Sequence, residues 1–320
     1  MARQTQKDGS RARTSWSCEA GQAALLSVVW MVVLLGMAGL VIDVGSWYRS
    51  QRSLQAKADA SALAGAQDLP NDTSAAAVDA HTYATKNGLN LPLSDISFSN
   101  DLAPNDSITV KADDSAPTFF TKIFGLSSVA VSASATARSS LIGQARWVAP
   151  ITVNINHPLL SGVGADGKPC PCFDVPTVLP LDKRGAPGAF GLIDLNGTSG
   201  NGASTLGNWI QYGYDGYLGL GPYSSNTGAS FNSSNIQTAL AARKGTVLLF
   251  PVYDSLTGQG TNGVYNVVAW VAFKLTGYQI TGGNSGELDG YFTDITWDGI
   301  PATSGNSVPD LGARVVTLTQ

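Results

Sequence analysis

The chain has 320 residues, only 13% of them charged against about 25% in ordinary globular proteins, and a formal net charge of −4. With no Lys/Arg cluster it offers no electrostatic footprint for a polyanion, which excludes DNA and RNA as partners. Abundant glycine, serine, threonine and asparagine suit a β-rich extracytoplasmic protein.

The first 22 residues form a polar tail carrying Arg3, Lys7, Arg11 and Arg13. Ala23 to Ile42 then runs without a charge. An α-helix rises 1.5 Å per residue, so about twenty apolar residues match the ~30 Å hydrocarbon core of a bilayer. A cleaved secretory signal would have an apolar region of about 7–15 residues and small residues at its end. Here Asp43, Trp47 and Tyr48 follow instead. The segment therefore reads as a retained, single-pass transmembrane helix. Basic residues lie on both sides, with Arg49, Arg52 and Lys57 after the span. Their slight bias and the long polar remainder place the N-terminus inside and everything past about residue 43 outside the cytoplasm.

Val44 to Gln67 is rich in good helix formers and has no proline until Pro70. The helix is thus expected to continue as a stalk, with anchor and stalk together reaching on the order of 65–70 Å. Small residues recur along one stripe, and two uses are open for it. Gly36, Gly39, Asp43, Leu54, Ala58 and Ala62 can meet a partner helix or a second copy of the chain. Alternatively the alanine stripe packs on its own domain.

After a turn at Pro70–Asp72, residues 74–88 read as a second helix ending at Gly88. Asp95–Ser99 and Ser107–Ala112 alternate as half-buried strands do. Pro117 opens a short helix, TFFTKIFG, closed by Gly125, and Val129–Ala137 alternates again. From Trp147 the pattern is mainly strands: ITVNI, AFGLIDL, TVLLFPVY, YNVVAWVAFKL, YFTDITW and RVVTLT, interrupted by helices at Leu206–Tyr212 and Ile236–Lys244. The class is α+β, in four segments. These are a cytoplasmic tail (1–22), the transmembrane helix (23–42), a helical stalk with a small α/β unit (43–146) and a β-rich extracytoplasmic domain (147–320).

No residue pattern specifies catalysis or a cofactor. There is no G-x-S-x-G elbow or P-loop, and no G-x-G-x-x-G leading from a strand into a helix. His81 and His157, the two histidines, stand in unremarkable settings. Asp194-Leu-Asn196-Gly-Thr198 begins like a calcium loop but has Ser199 where the turn glycine belongs and Thr205 where the bidentate glutamate belongs. Cys18 lacks a lipoprotein context. Cys170 and Cys172, in KPCPC, are either a local disulfide or free thiols, since zinc would need more ligands than the surroundings offer. Trp209, Tyr212, Tyr214, Tyr217, Tyr223 and Trp297 offer rings for glycan or partner contact, although packing is their usual role.

Gly21-Gln22, the apolar span, Val-Ile-Asp-Val-Gly (Val41–Gly45) and LQAKADASALAGA (Leu54–Ala66) together resemble the N-terminal segment of the Tad/Flp pilus-assembly family of TadE-like and TadG-like proteins. Pro117–Ser139 resembles the stretch downstream of that segment in TadG-like members. Arg184–Gly197, NWIQYGY and Val264–Tyr278 are more loosely similar to the long C-terminal halves of some of them. Leu26 stands where pilin-like relatives place a glutamate five residues after the cleavage glycine, so the resemblance does not carry prepilin-peptidase processing. It implies a non-enzymatic protein of the bacterial inner membrane that takes part in assembling or anchoring a thin adhesive pilus. Its expected partners are the bilayer and other Tad membrane proteins. A surface adhesin binding glycans is the alternative, and an envelope hydrolase a more distant one.

Overall fold

The computed structural model describes residues 19–181, 191–282, 285–303 and 308–319. Most of the expected tail, with its four basic residues and Cys18, lies outside the described residues, as does Arg184–Phe190.

Helix α1 (Glu19–Gly65) opens the described chain and passes into a 3-10 turn, Ala66–Asp68. Its 47 residues amount to about 70 Å of helix, so the apolar run and the expected stalk are one element. Next come α2 (Thr73–Lys86), β1 (Ile96–Ser99), β2 (Ser107–Pro117) and β3 (Ser128–Ala145). Beyond them lie β4 (Val153–Asn154), α3 (Pro158–Ser161), β5 (Thr177–Pro180), α4 (Ala203–Tyr212), β6 (Leu218–Gly219) and β7 (Gly221–Ser224). The chain ends with α5 (Ser234–Arg243), β8 (Val247–Thr257), β9 (Val264–Gly282), β10 (Ser285–Thr293), β11 (Ile295–Thr296), β12 (Gly299–Pro301) and β13 (Ala313–Leu318). Among the described residues 34% are helix and 37% strand, and the fold is α+β in the expected order: a long apolar helix, a small helix, then a β-rich region.

Packing divides the chain into two compact units, each discontinuous in sequence. The first joins the residues up to Ala58 with Lys111–Ser134, and the second joins Asp59–Val110 with Ala135–Gln320.

In the first unit, α1 lies against the start of β3. Gln51 Nε2 donates to the Ser132 carbonyl at 3.2 Å and Gln55 Nε2 to that of Ser134 at 2.9 Å. Four residues of helix advance about 6 Å and two residues of strand about 6.6 Å, so the two periods match and the glutamines step along the strand together.

In the second unit, the end of α1 meets α2 through small residues. A Cβ on Gly65 would fall 2.6 Å from the Ala76 carbonyl oxygen and 3.1 Å from the Ala80 Cβ. Ala76, Ala80 and Ala84 form the buried face of α2, whose first turn is capped by Asp72 accepting from the amides of Ser74 and Ala75.

A six-stranded sheet in the order β4-β8-β9-β10-β5, with β7 also on β9, forms the middle of this unit. One face packs Phe250, Val271, Phe273 and Phe292 against Leu206 and Ile210 of α4 and Ile236 and Leu240 of α5. The other face packs Leu249, Tyr253, Trp270 and Ala272 against Ile142 and Ala145 of β3 and Ala313 and Val315 of β13. Those two strands belong to a seven-stranded sheet ordered β1-β2-β3-β13-β11, with β6 and β12 also on β3. A sheet covered on both faces explains why TVLLFPVY and YNVVAWVAFKL are nearly continuous apolar runs.

Several elements differ from expectation. The described part of AFGLIDL makes only the isolated bridges Ile151–Leu192 and Ile193–Ser225. The turn α3 escapes a periodicity search because it is one turn long, begun by Pro158 and capped by the His157 ring. TFFTKIFG contains just a 3-10 turn, Thr121–Phe124, closed by Gly125 at φ +88°, where a side chain would be strained.

Candidate functional site

The candidate site is the apolar part of α1 together with the loop between β2 and β3, all within the first unit. By length and composition the helix Gln22–Asp68 can cross a membrane, with mean hydropathy 2.6 over its most apolar window, of which 6% is buried. Leu25 to Ile42 therefore exposes nearly all its large apolar side chains.

Asp43, the first charge after this run, is fully buried. Its carboxylate accepts from the amides of Phe119 (2.8 Å), Phe120 (3.0 Å) and Thr121 (2.6 Å), and from the Thr121 hydroxyl (2.9 Å). The amides at the start of a helical turn have no intrahelical partner and carry partial positive charge, so an anion is the favoured acceptor. Here the cap comes from a residue 76 to 78 positions away in sequence. The Thr118 hydroxyl ties the loop's two ends by donating to the Leu126 carbonyl at 2.5 Å.

Among the residues expected to meet a partner helix, Gly39 is buried, and a Cβ there would fall 2.6–2.9 Å from the Phe120 side chain. Glycine at this position lets the loop's aromatic ring rest on the helix backbone. Leu54, Ala58 and Ala62 are buried as well. Gly36 differs, since a Cβ there would meet nothing within 4 Å. The contact between this loop and Asp43 is not legible in the sequence, whose pattern predicts a short helix there. The available signal was a Phe-Phe pair followed by Ile-Phe in a turn, an unusual apolar load for a solvated loop.

The remaining candidates lie in the second unit. Cys170 and Cys172 are joined by a disulfide. His81 Nδ1 lies 2.7 Å from the Leu91 carbonyl oxygen, and His157 packs edge-on to Phe292 while its Nδ1 accepts from the Leu159 amide. Asp194 is buried, and its carboxylate is surrounded by donors: the amides of Gly200 and Asn201 and the side-chain amides of Asn201 and Asn226. N–H groups pointing at a carboxylate use the lone pairs a cation would need, so this loop is braced by hydrogen bonds. Among the described residues, no group of three His, Cys, Asp or Glu side chains is arranged to hold a metal ion.

Most of the aromatic residues pack. Trp209 meets Tyr214 edge-on, Trp297 donates to the Arg146 carbonyl, and Tyr223 donates to that of Gly219. Burial, with a smaller contribution from Tyr214, pushes the Tyr223 phenol up to about 12. Tyr212 and Tyr217 stay exposed.

Residues 21–68 match the family model Tad, described as Flp pilus-assembly TadE/G-like. The match spans nearly all of α1 and its terminal turn and includes Asp43, but not the loop that Asp43 caps. No curated protein and no solved structure matches the chain.

Proposed function

We propose that this chain, whose residues 21–68 match the Tad pilus-assembly model, is a membrane-anchored, non-enzymatic component that helps assemble or anchor the pilus. The observation that carries this reading is the coincidence of the family match with a helix long and apolar enough to span a bilayer. Ala23–Ile42 is read as a single pass through the cytoplasmic membrane with the N-terminus inside, leaving the β-rich region outside as a binding or scaffolding module. A non-enzymatic role is supported by the way His81, His157 and Asp194 are each engaged in local structure. Its partners are the bilayer and other pilus-assembly membrane proteins, with Gly36 an open small residue on the span.

The test has two parts. The chain should stay with membranes through a carbonate wash and co-purify with pilus-machine proteins after mild detergent extraction. Protease added to wall-stripped cells should digest the region beyond residue 70. Recovery of the chain as a soluble monomer would refute the anchor.

An adhesin reading draws on a separate observation. The Arg146 guanidinium lies over the exposed rings of Trp147 (4.4 Å) and Tyr217 (5.8 Å), a ready-made aromatic surface. Glycan-array binding by the detergent-purified chain, lost on Tyr217→Ala, would favour it.

A further inference from the structure

We infer that the loop Phe119–Leu126 is a second membrane-inserting element, a hydrophobic wedge seated beside the span and solvated by lipid acyl chains. The inference rests on reading Ala23–Ile42 as a membrane span and adds a contact that the helix alone does not make.

Four observations carry it. The loop presents large apolar side chains outward, with Ile123 80% and Phe124 84% exposed and Phe119 and Leu126 more than half exposed. Such a cluster on an eight-residue loop is an interaction surface, unlike scattered single exposed hydrophobics.

The cluster is continuous with the span. Phe120, Ile123 and Phe124 share an apolar groove with Val33, Gly36 and Leu40 of α1. Gly39, on which Phe120 rests, is four residues before Asp43, or about 6 Å along the helix, and Val33 is ten residues before it, or about 15 Å. In a ~30 Å core those depths lie in the half nearer Asp43. Whatever surrounds Val33–Leu40 therefore surrounds Ile123 and Phe124.

Most of the loop's amides are paired, which suits hydrocarbon, where an unpaired amide is costly. The amides of Phe119, Phe120 and Thr121 go to Asp43, and those of Thr118, Ile123, Gly125 and Leu126 go to carbonyls within the loop and its ends. Finally, Lys122 is the one charge between Phe119 and Leu126. Its long stem lets the ammonium reach the headgroups.

The test uses the full chain with Cys18→Ser, leaving Cys170 and Cys172 bonded to each other. Spin labels are placed at Phe124→Cys, at Leu35→Cys in the span and at Ser255→Cys on an exposed strand end, and the protein is reconstituted in phosphatidylethanolamine/phosphatidylglycerol nanodiscs. The expected result is a Phe124 label accessible to oxygen and shielded from a nickel chelate, like Leu35, with an oxygen-to-nickel access ratio several-fold above Ser255. Nickel access at Phe124 with Leu35 still shielded overturns the wedge and leaves the anchor standing. Nickel access at both overturns the anchor and the wedge with it. A Phe124 label shielded from both reagents means a protein occupant, a second copy included, and overturns the lipid assignment. Asp43→Ala should raise nickel access at Phe124 and leave Leu35 unchanged, and no change there overturns the role of Asp43 in holding the wedge.

Discussion

Asp43 and Thr121, 78 residues apart, are joined twice: the Asp43 carboxylate accepts from the Thr121 amide at 2.6 Å and from its hydroxyl at 2.9 Å. A buried carboxylate at the end of an apolar run is tolerable only because the loop supplies donors, and the loop's amides are satisfied only because Asp43 supplies the acceptor. Asp43→Ala should therefore speed hydrogen exchange of the Phe119–Thr121 amides by about tenfold or more, the scale of one hydrogen bond to a charged group. Asp43→Asn keeps one acceptor oxygen and should give a smaller increase. Equal protection in wild type and Asp43→Ala would show that the carboxylate does not hold the loop.

Two glycines three residues apart on α1 should respond oppositely to a methyl group. At Gly39 an added Cβ collides with Phe120, so Gly39→Ala is expected to destabilise the first unit by about 1–3 kcal/mol, the usual cost of overpacking. At Gly36 the space is open, and Gly36→Ala should be neutral or stabilise the helix by up to about 1 kcal/mol. Exchange protection of the 119–126 loop in both variants checks the contrast. Similar behaviour of the pair would remove the argument for close approach at Gly39.

The long helix was legible because its signals are local: an uncharged run of bilayer length, then helix formers without proline. The paired strands TVLLFPVY and YNVVAWVAFKL were legible for the same reason, each being a contiguous apolar run. The surroundings of Asp43 were not, because the contact depends on a pairing across 76 to 78 residues that no periodicity records. The stripe Leu54, Ala58, Ala62 shows the same limit from the other side. Its spacing announces a close neighbour but not which one, and in the fold all three are buried. Asp106 leaves no sequence signal, since its partners are three backbone amides and the neighbouring Ser107 hydroxyl.

Asp106 braces the turn between β1 and β2, accepting from the amides of Asp101, Leu102 and Ala103 and from the Ser107 hydroxyl. Burial pushes its carboxyl up, but these bonds together outweigh burial and hold it below the usual carboxylate range. A folded pKa below the unfolded value near 3.8 stabilises the fold above that pH, and the contribution is lost as the pH falls through the folded pKa. Asp106→Ala should cost about 2–3 kcal/mol at pH 7 by orphaning these donors. Asp106→Asn should flatten the stability curve below about pH 4. Acid unfolding of the two proteins with superimposable midpoints would contradict this.

Asp68 should behave with the opposite sign. Burial raises its pKa first, and the nearby charges of Asp79, Asp72 and Asp294, together with a hydrogen bond to Asp79, raise it further. A carboxyl whose folded pKa exceeds its unfolded value favours the fold while protonated, and that advantage disappears as the pH rises through the folded pKa. The ionised group is therefore a liability at neutral pH. Asp68→Asn should raise the melting temperature at pH 7 by a few degrees and leave it unchanged near pH 3, where the wild-type carboxyl is already neutral. The same substitution should be additive with Asp106→Asn, because the two carboxylates share no hydrogen-bond partner. Thermal melts of both single variants and the double variant at the two pH values provide the check, and a lower melting temperature for Asp68→Asn at pH 7 would reverse the assignment.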